Sequence, residues 1–450
     1  MRIEPMLRTL TAFAYRCLLI PLSVIAVPIT SASAQIRTDG SVGPARSLLG
    51  PNVVIGADLG KQVGANLFHS FTTFNVGRGE SATFTGPSST GPSSVGNIIS
   101  RVTGGQTSQV DGRIASTIPG ANLFLLNPSG WVFGSHATLN VQGSVHVSST
   151  DTLHFADGTR LPTGTPTGSS FTSAPPEAFG FLSSRSGAIS VTGSRLTTPV
   201  GKDLSLVGGP VRIEGGQVLA PAGKLHIASA ASAGKINLNG SEAPAPTAPA
   251  YGPVTVSGNA IADVGDGSGQ RGGGAVQVRG GAVLIDSSTV GASNASNQPG
   301  GTISVKADAL TLRSGGTLTT SAQAGGNAGP VTVMANRIDV NAQSIIGSRT
   351  YSTGNAGQVQ LTGIGTNTSL TIDGGASTNT TGVISHAVAG SSGAAGNVAV
   401  SMDNIRLFRA GQISSSTFSS GNAGPVTVHA NALSADGGGR TDAATGVFSS

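Results

Sequence analysis

The sequence predicts an all-β fold, a right-handed parallel β-helix in which the chain winds into stacked coils. Three observations favour this class. No long stretch shows the apolar spacing of an amphipathic helix. Short segments alternate apolar and polar residues and follow glycine-rich turns. A unit of about 28 residues recurs in the second half of the chain, and a period of this size is typical of solenoids.

The alternating segments supply the strands of the predicted fold. In each segment the apolar side chains point to one side and the polar side chains to the other, as in a half-buried strand. These segments lie at residues 191–192, 204–206, 254–256, 276–278, 303–305, 331–333, 359–361, 398–400 and 426–428.

The repeat is clearest in the octapeptide Gly-Asn-Ala-Gly-Pro-Val-Thr-Val, found at residues 326–333 and again at 421–428. The last glycine before each strand lies at position 274, 301, 329, 357, 396 and 424, with steps of 27, 28, 28, 39 and 28 residues. Each step holds three short strands, which predicts a three-faced coil that closes its apolar interior by stacking. A β-propeller needs about 40 to 45 residues per blade, so the shorter step disfavours it.

Two insertions and an abrupt end interrupt the repeats. The 39-residue step predicts an inserted loop, for which residues 363–368 are the natural place. A Pro/Ala-rich excursion occupies residues 242–249. The sequence stops at residues 446–450 within a repeat unit, so we expect a truncated product or a fragment.

The first 34 residues predict an export signal. Arg2, Arg8 and Arg16 precede and flank an apolar run at residues 17–27, and a small-residue site places cleavage between Ala34 and Gln35. The run is too short to span a bilayer, and no later stretch is long enough, so we expect no stable membrane insertion. Cys17 is the one cysteine of the chain, so the mature chain has none.

Charge is scarce. Charged residues make up 10% of the chain, the net charge is +5, and glycine accounts for 68 residues. No basic patch stands out, so the composition disfavours a nucleic-acid partner. Disorder is also disfavoured, because valine, isoleucine and leucine recur in regular short bursts.

Residues 35–155 carry a different set of motifs. Asn-Leu-Phe-His-Ser-Phe begins at Asn66, Arg-Val-Thr-Gly-Gly begins at Arg101, and Asn-Pro-Ser-Gly begins at Asn127, followed by Phe-Gly at residues 133–134. This order and spacing resembles the secretion domain of filamentous haemagglutinin-type proteins. The resemblance implies a β-helical N-terminal secretion domain recognised in the periplasm by a dedicated outer-membrane β-barrel transporter, through which the passenger crosses unfolded, without ATP or cofactor, and folds outside.

One motif departs from the family pattern, which is Asn-Pro-Asn-Gly-Ile. Here Ser129 replaces the second asparagine and Trp131 replaces the isoleucine. Proline and glycine still predict a tight turn. The candidates for transporter recognition or for nucleation of the fold are Asn66, Asn127, Pro128, Ser129 and Gly130; the alternative for the tetrad is a plain hairpin or corner turn. Core positions are predicted for Phe68, Phe71, Phe74 and Phe124.

No catalytic, metal-binding or cofactor-binding constellation emerges. His69, His136, His146 and His154 lack metal-ligand spacing, and we expect them to face solvent or line turns, with His69 pointing outward from its strand. Residues 265–269 read as a flexible loop rather than a calcium turn. The acidic residues are scattered singly, although carboxylates on neighbouring coils could still meet, as glycoside hydrolysis requires.

The sequence therefore divides into a signal (1–34), a two-partner secretion domain (35–155), irregular coils (156–270) and regular coils (271–450). We expect a non-enzymatic, adhesin-like passenger that is secreted or displayed on the cell surface and binds glycans or cell surfaces through multivalent contacts. A β-helical polysaccharide-active enzyme and the stalk of a contact-dependent toxin are the alternatives.

Overall fold

A computed structural model describes residues 35–87, 94–241, 247–376 and 379–450, all within one compact unit, Ser33–Ser450. The predicted signal, with Cys17 and Ala34, lies outside the described residues, as does most of the Pro/Ala-rich excursion. The described part contains 3-10 helix η1 (Ala57–Leu59) and no α-helix; everything else regular is strand.

The strands of the first third are β1 (Ile36–Thr38), β2 (Ser47–Leu48), β3 (Asn52–Ile55), β4 (Lys61–Val63), β5 (Asn66–Phe74), β6 (Ser81–Phe84), β7 (Asn97–Val102), β8 (Ser108–Val110), β9 (Arg113–Ser116), β10 (Asn122–Leu126), β11 (Trp131–Phe133), β12 (Thr138–Asn140) and β13 (Val145–Ser148).

The middle third contributes β14 (Thr152–Phe155), β15 (Arg160–Pro162), β16 (Pro176–Phe181), β17 (Ile189–Thr192), β18 (Arg195–Thr197), β19 (Leu204–Gly208), β20 (Val211–Glu214), β21 (Gln217–Leu219), β22 (Lys224–Ser229), β23 (Gly234–Asn237), β24 (Val254–Ser257) and β25 (Ile261–Asp263).

The last third contributes β26 (Ala275–Asp286), β27 (Thr289–Asn294), β28 (Thr302–Arg313), β29 (Thr317–Ala322), β30 (Val331–Asn341), β31 (Ile345–Thr350), β32 (Val359–Thr362), β33 (Ser369–Asp373), β34 (Thr381–Ala387), β35 (Val398–Ser401), β36 (Asn404–Phe408), β37 (Gly411–Thr417), β38 (Val426–His429), β39 (Ala432–Asp436) and β40 (Gly446–Ser449). Every predicted alternating segment lies in a strand.

Parallel pairing between successive coils builds three faces. Face A stacks β5, β7, β10, β13, β19, β22, β26, β28, β30, β32, β35 and β38. Face B stacks β8, β11, β17, β20, β24, the second halves of β26, β28 and β30, then β33, β36 and β39. Face C stacks β3, β6, β9, β12, β18, β21, β25, β27, β29, β31, β34, β37 and β40. The predicted parallel β-helix with three strands per coil is therefore confirmed.

Equivalent residues of successive coils lie directly opposite one another. Val276 pairs with Ile303, Ile303 with Val331, and Val331 with Val359, and all of them are buried. One apolar cluster runs through the interior from Ile36 to Ile413. Because each coil buries its inner side chains against the next, the apolar interior is closed only by the stack.

Two antiparallel additions interrupt this plan near the N-terminus. β1 and β4 pair antiparallel with β5, and β2 pairs with β1, so a small cap begins the stack. A separate four-stranded antiparallel sheet, in the order β15-β14-β16-β23, lies over the outer side of face A. We call this sheet, with the segment 163–175 and the turn 238–241, the cover.

A second apolar cluster fills the space between face A and the cover. Its members from face A include Phe68, Ile99 and Phe124, and the cover contributes Phe155 and Phe179, among others. Phe68, Phe71, Phe74 and Phe124 are all buried, as predicted. Phe71 and Phe74 lie inside the coils, whereas Phe68 and Phe124 lie under the cover.

The coils continue through residue 155 and through residue 270, because β13 pairs with β19 and β22 pairs with β26. The division at these positions stays a prediction. In the coil with the 39-residue step, residues 363–368 form a loop between β32 and β33, as expected. Compared with the 28-residue coils, additional residues also lie between β33 and β34 and between β34 and β35.

Candidate functional site

The Asn-Pro-Ser-Gly tetrad forms a tight turn at a corner of the stack. Pro128 and Ser129 hold its central positions, and the amide of Gly130 donates to the carbonyl of Asn127 at 2.8 Å. Gly130 has a φ of +98°, and a Cβ there would lie 2.3 Å from the carbonyl oxygen of Ala188, so both the backbone angle and the space require glycine.

The Asn127 side chain is the buried hub of this turn. Its Oδ1 accepts from the amide of Ser129 at 2.9 Å, and its Nδ2 donates to the carbonyl of Gln106 at 2.9 Å and to Ser108 Oγ at 3.0 Å. The side chain is fully buried and joins two coils. It therefore holds the structure together and is not accessible to a partner in the folded state.

Trp131 replaces the usual isoleucine without disturbing the turn. The indole is fully buried, and its ring stacks on Phe133 with centroids 6.1 Å apart. Its Nε1 donates to the carbonyl of Ser148 at 3.3 Å, so the polar atom of this large side chain has a partner inside the stack.

Asn66 begins a ladder of asparagines at the start of three successive face A strands. Asn97 Nδ2 donates to Asn66 Oδ1 at 2.9 Å, and Asn122 Nδ2 donates to Asn97 Oδ1 at 3.0 Å. At the end of the ladder, Asn66 Nδ2 donates to the carbonyls of Thr172 at 2.9 Å and Ala174 at 2.7 Å. Because these carbonyls belong to the cover, the ladder fastens the cover to the coils.

The ladder was only partly predicted. The sequence singled out Asn66 but not Asn97 or Asn122. A signal was present, since each of the three asparagines directly precedes a pair of large apolar residues that opens a face A strand.

Arg101 of the second motif provides another link to the cover. The residue is 1% exposed, and its guanidinium donates to Ser70 Oγ at 2.8 Å, to the carbonyl of Pro162 at 2.7 Å and to Ser169 Oγ at 2.7 Å. Burial lowers the pKa of Arg101, and the negative charge of Asp39 opposes that shift. The resulting network joins the coils to the cover.

The cap is tied to the same network. Arg101 Nη2 donates to Ser41 Oγ at 3.0 Å, and Asp39 Oδ2 accepts from Ser70 Oγ at 2.5 Å and from Thr103 Oγ1 at 2.8 Å. The motif residues therefore converge on one function, which is to fix the cap and the cover on the first coils.

Two histidine predictions are wrong. His69 points into the stack, where its ring lies 5.5 Å from that of Phe84, and burial lowers its pKa to about 4. His146 lies in β13, fully enclosed, with its ring 4.6 Å from that of Phe124. For His146 the outer side of face A is closed by the cover and does not face solvent. For His69 the alternation has the opposite phase, because its neighbour Phe68 points outward under the cover.

The other histidines differ in their surroundings. His136 is exposed and lies 3.1 Å from the carboxylate of Asp111. His154, in the cover, contacts Thr152 Oγ1 at 3.0 Å. In the described part of the chain no three His, Cys, Asp or Glu side chains approach closely enough to hold a metal ion.

The register of the coils also shows where the scattered carboxylates lie. Asp286 faces Arg313 on the next coil, and Asp373 faces Phe408. Among the paired strands that the structure describes, no carboxylate lies opposite another carboxylate. In the loop 265–269 the carboxylate of Asp266 accepts hydrogen bonds from Ser268 and Arg271 within the turn.

The repeat glycines have a structural explanation that the sequence did not reveal. A Cβ on Gly357 would lie 2.0 Å from the carbonyl oxygen of Gly329, because the repeat glycines stack directly. Inside face C, Ser348 Oγ accepts from the amide of Gly357 at 2.7 Å, and Ser385 Oγ donates to the Gly357 carbonyl at 3.0 Å. A column of inward Ser and Thr therefore binds the stacked glycines from coil to coil.

Within residues 35–87, 94–241, 247–376 and 379–450, the structure holds no helical segment that could span a lipid bilayer.

The chain is similar to known secretion domains in sequence and in fold. Residues 34–257 match the family model of the TPS secretion domain. The fold is similar to the crystal structure of the HMW1 secretion domain from Haemophilus influenzae, with a TM-score of 0.56 and 17% sequence identity over 89% of this chain and 93% of that one. No curated protein matches the chain. The chain belongs to the two-partner secretion passengers of the filamentous haemagglutinin type, with its secretion domain at residues 34–257.

Proposed function

We propose that a dedicated outer-membrane β-barrel transporter exports this chain to the cell surface or the medium, and that the coils beyond the secretion domain mediate attachment or aggregation. The observation that carries the proposal is the continuity of the stack. The same three faces run from the secretion domain into the regular coils, so folding of the first coils outside the cell gives each later coil an edge to pair with.

Export is tested by expressing the full chain with and without a two-partner transporter and measuring the chain in the medium. We expect release only with the transporter. A matched variant that keeps residues 1–34 but lacks 35–257 should stay in the periplasm. Equal release in the absence of the transporter would contradict the proposal.

The motif residues are proposed to act on folding rather than through a folded contact surface. Asn66 and Asn127 are fully buried, whereas Pro128 and Ser129 are half-buried. The purified Asn127→Ala variant should therefore refold more slowly than the parent chain in the absence of any transporter. Normal refolding combined with lost export would instead favour direct recognition of the unfolded motif.

The attachment surface is proposed to include an exposed aromatic pair on the regular coils. Tyr351 and Phe418 are 51% and 62% exposed. They follow Thr350 and Thr417, which occupy equivalent register positions two coils apart. Exposed apolar side chains that share one surface are typical of contact sites, and their neighbours are mostly hydroxyl-bearing residues.

Attachment is tested by binding of the purified chain to glycan arrays and to cells. The double variant Tyr351→Ala/Phe418→Ala should lose most of the binding, whereas Leu182→Ala, a similarly exposed apolar residue of the secretion domain, should keep it. Indifference of the folded parent chain to every glycan and cell type would refute the adhesin role.

A further inference from the structure

The cover lies over a column of outward-pointing polar side chains on face A. In the register of the strands, His146 lies opposite Ser205, Ser205 opposite His226, and His226 opposite Gln277. The neighbours of His226 in its own strand, Leu225 and Ile227, point into the coil interior. The histidines therefore point towards the cover, and yet they are buried.

Several contacts show what closes this column. On the strand of His226, Ala228 packs in the apolar cluster beneath the cover, and Lys224 Nζ donates to the carbonyl of Asn239 at 2.7 Å. Gln277 lies against Gly240, where an added Cβ would meet its Oε1. The turn 238–241 and strand β23 thus cover the column.

The buried histidines have few polar partners. His146 Nδ1 lies 2.9 Å from Ser205 Oγ. Both ring nitrogens of His226 are buried without a hydrogen-bond partner, as is Oε1 of Gln277. A neutral imidazole tolerates this at moderate cost, but an imidazolium in the same place would be a buried charge without compensation.

The charged groups that act on His226 are all positive, although the Asp203 carboxylate accepts from the Lys224 amide at 2.9 Å near the same strand. Arg279 and Lys224 act on His226 together with His146, and all three disfavour a positive ring there. Within the cover, Arg160 and Lys235 act on His154 in the same sense. No carboxylate acts on these three rings.

We propose that the cover is an acid-releasable lid, which closes over face A only while His146 and His226 are uncharged. Protonation of the two rings opens it and exposes the apolar outer residues of the first coils, including Phe68, Ile99 and Phe124. This device is independent of export and of attachment.

The direction of the pH effect follows from linkage. Burial lowers the pKa of His146 to about 4, and burial together with Arg279 and Lys224 lowers that of His226 to about 3. In the open state both rings return towards the ordinary value of 6.5. The open state therefore binds more protons than the closed one, and closure weakens as the pH falls below 6.5.

The test is hydrogen exchange of the purified full chain from pH 7 to pH 4.5, corrected for intrinsic rates and read by mass spectrometry. We expect the opening constant of the peptides spanning 152–181 and 234–237 to rise by roughly tenfold per pH unit for each histidine, so about a hundredfold for His146 and His226 together, with up to about tenfold more from His154. Coil peptides within 302–350 should keep their protection. Simultaneous loss of protection in both regions would overturn the lid in favour of global acid unfolding.

Variants distinguish the contribution of the two histidines to the pH response from that of other titratable groups. His146→Gln/His226→Gln should reduce the response to tenfold per pH unit or less, the remainder coming from His154. His136→Gln, on an exposed ring, should leave the response unchanged. An unreduced response in the double variant would contradict the proposal. If the double variant does not fold, NMR titration of the two rings in the parent chain replaces it. Ring signals of His146 and His226 that titrate near 6.5 while the cover is still protected from exchange would also contradict the lid.

Discussion

The covered coils near the N-terminus and the uncovered coils near the C-terminus share one backbone plan but carry different sequences. Strand β7 is buried at five of its six positions, whereas in β30 the buried residues alternate with half-buried or exposed ones. The difference lies entirely on the outer side of face A, where the cover replaces water. Strands buried on both sides read as continuous apolar runs, and strands buried on one side alternate.

Polar residues follow the same division. In the covered region Arg101, Asn66 and Asn127 are buried and use their side chains to join the coils to other parts of the chain. In the uncovered region most buried polar residues, apart from Asn294 and His386, are small hydroxyl side chains such as Ser348 and Ser385, which bind backbone glycines inside the stack. The secretion domain thus depends on specific long-range contacts, and the regular coils depend on repetition.

Arg101→Met should have the largest effect on stability. The substitution removes the charged group that donates hydrogen bonds to Ser70, to the Pro162 carbonyl, to Ser169 and to Ser41, so we expect a loss of about 4 kcal/mol in the free energy of unfolding. Urea denaturation of the purified chain measures it. Arg406→Met, on the exposed side of face B, is the matched control and should stay within about 0.5 kcal/mol of the parent.

Phe124→Ala tests the cover by comparison with Gln360→Ala. Both residues lie in the same outer column of face A, but Phe124 is under the cover and Gln360 is exposed. Removing a ring from the apolar cluster beneath the cover should cost about 3 kcal/mol. Gln360→Ala should be nearly neutral by the same urea measurement. Equal effects at the two positions would mean that nothing covers face A near the N-terminus.

Gly357→Ala tests the stacked glycines of the regular coils. The added methyl group would lie 2.0 Å from a carbonyl oxygen, so the coils must shift, at a cost of about 2 kcal/mol. Gly267→Ala, where an added Cβ meets nothing within 4 Å, is the control. Thermal unfolding followed by circular dichroism compares the two variants, and a Gly357→Ala variant as stable as its control would refute direct stacking.

Ser385→Ala should have the smallest effect. It removes one hydroxyl that donates to Gly357 at 3.0 Å and accepts from Gly396 at 2.8 Å, which predicts a loss of about 1 kcal/mol. Ser420→Ala, at an exposed position, should be silent. Chemical denaturation in small urea steps resolves a difference of this size, and identical midpoints would exclude a contribution from the inner hydroxyl column.

The regular coils were largely predictable from sequence, because a repeat of fixed length indicates the length of a coil and the positions of its strands. The 28-residue step, the position of each strand and the inward Val, Ile and Leu all follow from local pattern. The cover was not predicted, since its strands belong to no repeat. β14 and β15 form a local hairpin, but β16 and β23 pair antiparallel with partners more distant in sequence. The sequence nevertheless contains a signal for the cover, since the apolar runs that begin at Asn66, Asn97 and Asn122 indicate strands buried on both sides.

The sequence predicted which residues belong to the candidate site but not which contacts they make. The Pro-Ser-Gly turn followed from the conformational preferences of its residues. The burial of Asn127 and Arg101 did not, because the depth of a polar side chain depends on what packs over it. The same gap produced the wrong exposure of His146, whereas the orientation of His69 was wrong because Phe68 beside it points outward under the cover.

Hydroxyl-radical footprinting of the folded chain, read by mass spectrometry, tests the central claim most directly. Phe124 is 3% exposed and Phe418 is 62% exposed, so two residues of one chemical type report on the covered and uncovered surfaces. At neutral pH we predict that Phe418 is oxidised while Phe124 stays unmodified, as does Trp131 in the interior. Oxidation of Phe124 at a rate comparable to that of Phe418, with Trp131 still protected, would show that the coils are folded but not covered and would contradict this account.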